Sequence, residues 1–396
     1  MYNTFWRTAL AATLLSGSIW AQVNVLGKDV QIHGFFQQGF AYSSGNNFLT
    51  MRTRGGSWAM TDGGINVATR LTSRLRVGAQ AYSRNIGDLG NGQVQIDWAY
   101  ADYKFSDMFG VRAGKVKTAL GLFNDTQDME FLYPFALLPQ SVYPSDLRAN
   151  TIAHVGGDIY GSFGLKKAGR VSYVLWAGRL PEDRRGGYFY GSRDAGSPLT
   201  NFAQSAKGAD VKWATPLTGL TLGYSYFDTL RYANARLLTF RGRPIPGGLP
   251  YRTDQDNTIN AFSADYQRGG LRLSAEFWRN DGFGRFSGAP IPGSVQIPQS
   301  WYVMGSYRFN KRLEVGSYYT DFINNRTRDF TPDVGIRGPV VSTRFDLTSH
   351  WHVKLEGHFL EGIGGNFSFR GFYPSTNPQG LQARTNMFVM RTGWVF

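Results

Sequence analysis

The chain has 396 residues, with 42 Lys and Arg against 28 Asp and Glu for a formal net charge of +14, and a hydrophobic share of 42%. That share is enough for one large folded domain and excludes a disordered chain. The absence of Cys excludes a disulfide scaffold, a thiol redox site and a cysteine-based zinc site, and no apolar run after residue 21 approaches the ~18 residues of a membrane-spanning helix.

Residues 1–21 carry Arg7, an apolar stretch from Ala9 to Leu15 and a small residue at Ala21. This pattern reads as a secretory signal peptide. Residues 22–29 read as a short periplasmic lead-in, and 30–396 as a single barrel domain. From there the chain alternates. Ile65, Val67 and Leu71 oppose Asn66 and Arg70, and Leu75, Val77, Ala79 and Ala81 oppose Arg76, Gln80, Tyr82 and Arg84. The same period of two recurs at Leu220–Tyr226, Leu271–Phe277, Leu313–Thr320 and Trp351–Phe359, the pattern of strands with one apolar face.

Alternation alone does not separate a soluble sandwich from a membrane barrel. The connections do. Short links at about 72–74, 106–108, 166–169, 215–219, 267–270, 310–312 and 348–350 alternate with long ones at about 43–63, 85–93, 117–153, 179–204, 228–256, 280–299, 321–339 and 361–384. Seven short and eight long links predict sixteen antiparallel strands: an all-β transmembrane barrel with short periplasmic turns and long external loops. The last strand puts Phe388, Met390, Thr392, Trp394 and Phe396 on one face. An aromatic terminal strand ending in Phe396, with Trp394 beside it, resembles the assembly signal read by the outer-membrane assembly machinery. Trp213, Phe309, Trp351 and Trp394 sit beside short turns or the terminus, where an aromatic girdle is expected.

Sixteen strands enclose a water-filled channel. Its face carries Arg70, Arg76, Arg84, Arg112, Arg170, Lys212, Arg272, Arg308, Arg344, Lys354 and Arg391 against Asp97, Asp210, Glu276, Glu314, Asp346 and Glu356. About half of these basic residues are expected in cross-strand ion pairs or, at the outer rim, against lipopolysaccharide phosphates. The charges lie on alternating strand positions with no basic helix, so nucleic acid is not an expected partner.

Arg112-Ala113-Gly114-Lys115-Val116-Lys117 ends one strand and opens the longest link. Phe123, Leu132, Phe135, Leu137 and Leu138 in that link would be poorly placed in water, so it is expected to fold inward and narrow the pore. Arg112, Lys115, Lys117, Arg76, Arg84 and Arg148 are the candidate residues of the constriction and anion path. Over 112–144 the sequence resembles the phosphate-selective porin superfamily of bacterial porins, including its dicarboxylate-channel relatives. The resemblance implies a homotrimer in the outer membrane of a Gram-negative bacterium, passing small anionic solutes through a constriction made by the third external loop. Ala119 stands where relatives often have Pro, and the coiled-coil extension of some relatives is missing, which leaves the substrate class open.

Three functions follow. The first is a passive diffusion channel for small hydrophilic solutes, anionic or neutral, with a preference for anions. The second is a substrate-selective channel that binds phosphate or carboxylates, and the third an outer-membrane hydrolase. Neither a cofactor nor a metal site is expected. His352 and His358 share a face with Lys354 and Glu356, but no nucleophile-elbow or phosphate-loop motif accompanies them. Asp125, Asp128 and Glu130 are expected to pair with Arg148, Lys115 or Lys117 and hold the loop, rather than to bind a cation.

Overall fold

Alternating side chains and alternating link lengths close the chain into a ring. The structure is a computed structural model that describes residues 21–25, 27–240, 243–364 and 371–396. Apart from Ala21, the proposed signal peptide lies outside the described residues. Sixteen strands form the wall: β1 Lys28–Ser44, β2 Ser57–Arg70, β3 Leu75–Ile86, β4 Val94–Lys104, β5 Gly110–Lys117, β6 Ala153–Gly164, β7 Arg170–Leu180 and β8 Leu199–Ala214. They continue as β9 Leu220–Phe240, β10 Arg243–Arg268, β11 Leu271–Ser287, β12 Gln299–Arg308, β13 Leu313–Ile323, β14 Gly335–Asp346, β15 Trp351–Gly362 and β16 Arg384–Val395. Each pairs antiparallel with its chain neighbours, and β16 closes on β1 in the register Phe388↔Tyr42. All backbone partners are thereby found within one sheet that has no edge, the condition for β-structure in lipid.

The wall adds a strand to the lead-in and corrects the sequence reading of two links. A short strand, Ala21–Val25, pairs with Lys28–Ile32, so the lead-in belongs to the sheet. The expected link at 228–256 is instead a hairpin, in which β9 and β10 stay paired up to Phe240↔Arg243 and rise above the rest of the wall. The link at 280–299 holds the end of β11 and a short strand, Ser294–Gln296, that pairs with it. Above a membrane both faces of a hairpin meet water, so neither needs the apolar alternation by which strands are recognised.

Large apolar side chains such as Ile65, Leu175, Phe262, Val303 and Phe359 lie exposed on the outward face. Trp213, Phe309, Trp351 and Trp394 are exposed beside the short turns, as an aromatic girdle requires. Phe396 closes the ring: its backbone exchanges two 3.0 Å hydrogen bonds with Gly34. Its ring covers that glycine, where an added Cβ would lie 2.3 Å from the Phe396 ring tip. Deleting Phe396 is expected to lower the yield of folded, heat-modifiable barrel at unchanged export to the periplasm, read by gel mobility without boiling. Undiminished folded yield would show that the terminal residue is dispensable.

Candidate pore constriction

The loop between β5 and β6, residues 118–152, folds into the lumen because its apolar residues find an apolar wall there. Leu120, Phe123, Tyr133, Phe135, Val142 and Tyr143 pack with Trp176, Phe227, Trp278, Tyr302 and Tyr318 in one buried cluster. The loop opens at Gly121, whose φ of +63° is in the left-handed region and where a Cβ would lie 2.7 Å from the Tyr143 hydroxyl. Burial this deep requires partners for the loop backbone, and the wall supplies them. Ser225 Oγ accepts from Gly121 N at 2.9 Å. Glu276 accepts from Leu122 N at 2.9 Å and from the hydroxyls of Tyr143 and Tyr302 at 2.5 and 2.7 Å.

The opposite side of the wall holds the loop as firmly. Lys354 Nζ donates to the carbonyls of Glu130 and Phe135 at 2.7 and 3.0 Å and forms an ion pair with Glu130 Oε1 at 2.5 Å. Burial opposes ionisation of Glu130, but Lys354, His352 and Arg391 outweigh it and hold the carboxyl well below the ordinary carboxylate range. Glu356 accepts from Ala136 N at 2.8 Å, and Arg391 donates to Ala136 O at 2.9 Å. With anchors on β7, β9 and β11 to β16, the loop spans the lumen. It leaves a cavity of about 50 Å³ whose lining includes Asp62, Tyr82, Arg84, Glu130, Arg148 and Arg391, room for roughly three to five waters at ~10–15 Å³ each.

Of the six candidate residues, the structure brings two to this cavity. Arg84 donates to Ser145 O at 2.7 Å and lies 3.6 Å from Asp183. Arg148 makes a two-pronged pair with Asp97 at 3.0 and 2.8 Å, its guanidinium 4.2 Å over the Tyr82 ring. Asp97 reaches it from a β-bulge: Gln80 pairs with Trp98 and Ala81 with Ile96, so Asp97 is the extra residue. The heads of Arg112, Lys115 and Lys117 do not converge. Arg112 is inward and lower, 2.7 Å from Asp158. Lys117 is 2.7 Å from Asp128. Lys115 stands opposite Ala99 and Val155 on the outward face and donates to Ile96 O at 2.5 Å. Alternation forbids what sequence closeness invites, since 112 and 115 have opposite parity. Arg76 lies in the same cross-strand row as Arg112, through Asp102, toward the periplasmic turns.

Sequence reasoning placed Glu276, Lys354, Glu356 and Arg391 on the channel face but did not see that they fasten the loop; its only signal was an excess of charge on that face. Asp128 pairs with Lys117 as expected, whereas Glu130 takes Lys354 and His352. Lower in the lumen the expected ladders are present, with Arg308 between Glu314 and Asp346, both at 2.8 Å, and Arg344 on Asp346 at 2.7 Å. Around the constriction Arg84, Lys117, Arg148, Lys354 and Arg391 face Asp183, Asp128, Asp97, Glu130 and Asp62, one carboxylate for each cation. The cations around this cavity are therefore charge-compensated.

No protein-family model and no curated protein matches the sequence. Among solved structures the chain is similar to an outer-membrane protein of Vibrio cholerae, OmpT, at 10% identity and a TM-score of 0.60, over 94% of this chain and 99% of that one. It is similar to an anion-selective porin from Comamonas acidovorans at 13% identity and TM-score 0.56, over 93% and 100%. The outer-membrane channel DcaP of Acinetobacter baumannii gives 11% and 0.54, over 93% and 97%. At these identities the likeness establishes the fold: a sixteen-stranded β-barrel of the outer-membrane porin type.

Proposed function

We propose that this protein is a porin of the Gram-negative outer membrane, a passive diffusion channel for small hydrophilic solutes that favours anions. The observation that carries the channel reading is the inward loop, which is pinned on opposite sides of a closed, outwardly apolar barrel and leaves a polar gap lined by Arg84, Arg148 and Arg391 together with Asp62 and Glu130. The barrel provides a path across lipid, and the loop sets its width. The guanidiniums in the gap are already engaged by carboxylates, which favours diffusion over a dedicated phosphate or carboxylate site. His352 and His358 are buried against Glu130 and Glu356 at 3.0 and 2.7 Å, positions that serve loop anchoring rather than hydrolysis. Reversal potentials in a planar bilayer under a KCl gradient test the reading. A potential of the chloride sign supports it, and a potential of the potassium sign removes the anion preference.

The outward face also supports assembly into a homotrimer. On β2 to β5 it carries Val67, Ala79, Ala99, Ala101 and Ala113 around a shallow recess, whereas Tyr224, Phe262, Phe277, Phe345, Phe359 and Phe388 occupy the outward face of later strands. Lys115 stands in that small-residue face, and a lysine facing hydrocarbon at mid-membrane costs roughly 2–4 kcal/mol. A neighbouring subunit relieves that cost and packs closely on small side chains. The variant Ala99→Trp is expected to convert trimers to monomers on native gels while each barrel stays folded. A persistent trimer would place the interface elsewhere. At the outer rim Arg252 and Arg279 pair with Asp254 and Asp281, which leaves exposed Arg285 on β11 as the candidate for lipopolysaccharide phosphates.

A further inference from the structure

A charge-compensated constriction does not by itself favour anions, so the preference proposed above needs unpaired positive charge elsewhere along the path. The periplasmic mouth supplies it. Arg70 and Arg76 are directly opposite each other on β2 and β3, and they share the lumen-facing parity of Asn66 and Gln80, which hydrogen-bond across the same two strands at 3.4 Å. Both are exposed and neither makes an ion pair within 4 Å among the described residues, although Asp102 on β4 stands directly opposite Arg76. They line a recess of about 460 Å³ with Lys28, Gln31 and Thr69, in which Asp29 is the single acidic residue. Like charges directly opposite each other destabilise a sheet, and Asp102, which faces both Arg76 and Arg112 and already accepts from the Tyr160 hydroxyl at 2.6 Å, offsets this pair only in part. Around the mouth Arg74, Lys166, Lys167, Arg170, Lys311 and Arg312 are also exposed, while the exposed acidic Asp107 is already held by Lys104 at 2.6 Å.

We infer that the anion preference of this channel is set at its periplasmic mouth by Arg70 and Arg76, and not at the loop constriction. The inference rests on the anion-channel reading and assigns its locus. Fixed positive charge at one end enriches small anions there. Anions driven outward from that end meet the neutral gap from an enriched reservoir, whereas anions driven inward do not. Current should therefore be larger when the external side is positive. Screening removes the difference as salt rises, because the screening length falls from about 10 Å at 0.1 M to about 3 Å at 1 M.

The test uses the full-length channel in a planar bilayer, with KCl as the only solute. Wild type is expected to show chloride-favouring reversal potentials and asymmetric current at 0.1 M, with the asymmetry lost at 1 M. Arg70→Gln with Arg76→Gln should lower the chloride-to-potassium ratio by about threefold or more and abolish the asymmetry. Arg236→Gln with Arg243→Gln, on the external hairpin, should leave the ratio nearly unchanged. Because the protein has no Cys, Arg76→Cys provides a unique thiol that can be modified after folding. An anionic methanethiosulfonate added from one chamber should lower the ratio, a cationic one restore it, and the reactive chamber marks the periplasmic side. An unchanged ratio in the folded double variant, or after modification, overturns this locus and leaves the anion channel standing. A wild-type channel without chloride preference overturns both.

Discussion

Glu276→Ala is expected to raise single-channel conductance several-fold without dismantling the barrel. The carboxylate of Glu276 holds Leu122 N, the Tyr143 hydroxyl and the Tyr302 hydroxyl, and it is 2% exposed. Removing it leaves the Tyr143 and Tyr302 hydroxyls and the Trp278 indole N–H without their acceptor, at roughly 1–3 kcal/mol each, while Leu122 N keeps the Tyr143 hydroxyl. The loop has two remedies, to admit water or to leave the wall, and both widen the passage. The barrel has no such exposure, since the pairing of β10, β11 and β12 runs through backbone groups. Glu276→Gln keeps the volume and one acceptor and should fall between wild type and Glu276→Ala. Combining Glu276→Ala with Lys354→Ala releases anchors on opposite sides of the lumen. These share no partner, so their effects should add approximately. Single-channel recordings of heat-modifiable protein decide the matter; unchanged conductance in folded Glu276→Ala would mean that the loop is not the barrier.

Asp97→Asn should increase the preference for chloride over potassium, and Asp62→Asn should do the same. Asp97 neutralises Arg148, and Asp62 receives Arg391 at 2.7 Å and the Tyr82 hydroxyl at 3.1 Å. The amide keeps the shape and removes one negative charge beside Arg148 or Arg391, which line the cavity. One unit charge acts on an ion about 4 Å away with roughly 1 kcal/mol in bulk water and about 4 kcal/mol at an effective dielectric near 20. Since about 1.4 kcal/mol corresponds to tenfold, even the aqueous limit gives roughly a fivefold change before screening. Each variant also leaves a buried guanidinium without its partner, at about 3–5 kcal/mol, so folded yield must be checked alongside the reversal potential. Lys115→Gln, by contrast, should shift selectivity less than Asp97→Asn, because that side chain stands on the outward face and only its field reaches Asp97 and Arg148. A selectivity change at Lys115 equal to that at Asp97 would contradict the placement of these residues.

The two sets of variants separate two places where charge acts. Neutralising a carboxylate at the constriction creates a selectivity that the native pairing suppresses. Neutralising Arg70 and Arg76 should remove one that, on the proposed reading, the mouth maintains. On the proposed reading, the segment beside the loop is indifferent to the sign of the solute and anions collect at the periplasmic mouth.

The barrel was legible in the sequence because membrane and lumen impose their demand one residue at a time. Val67 and Ala68, or Leu355 and Glu356, meet different media whatever the rest of the chain does, and the turns between strands follow from local composition. The inward loop was legible for the same reason, as Phe123, Phe135 and Leu137 cannot remain in water. Which residues hold it and which face the gap was not legible. Glu276 and Leu122 are 154 positions apart, and Arg391 and Asp62 are 329 apart. Ion pairing depends on distance in space, which only the closed register of the barrel and the path of the loop determine. Arg112, Lys115 and Lys117 are near neighbours in sequence, and the pleat sends Arg112 inward and Lys115 outward. The neutrality of the constriction and the unpaired charge at the periplasmic mouth are likewise properties of the tertiary structure. Both depend on which carboxylate each cation reaches, and the sequence alone does not contain those distances.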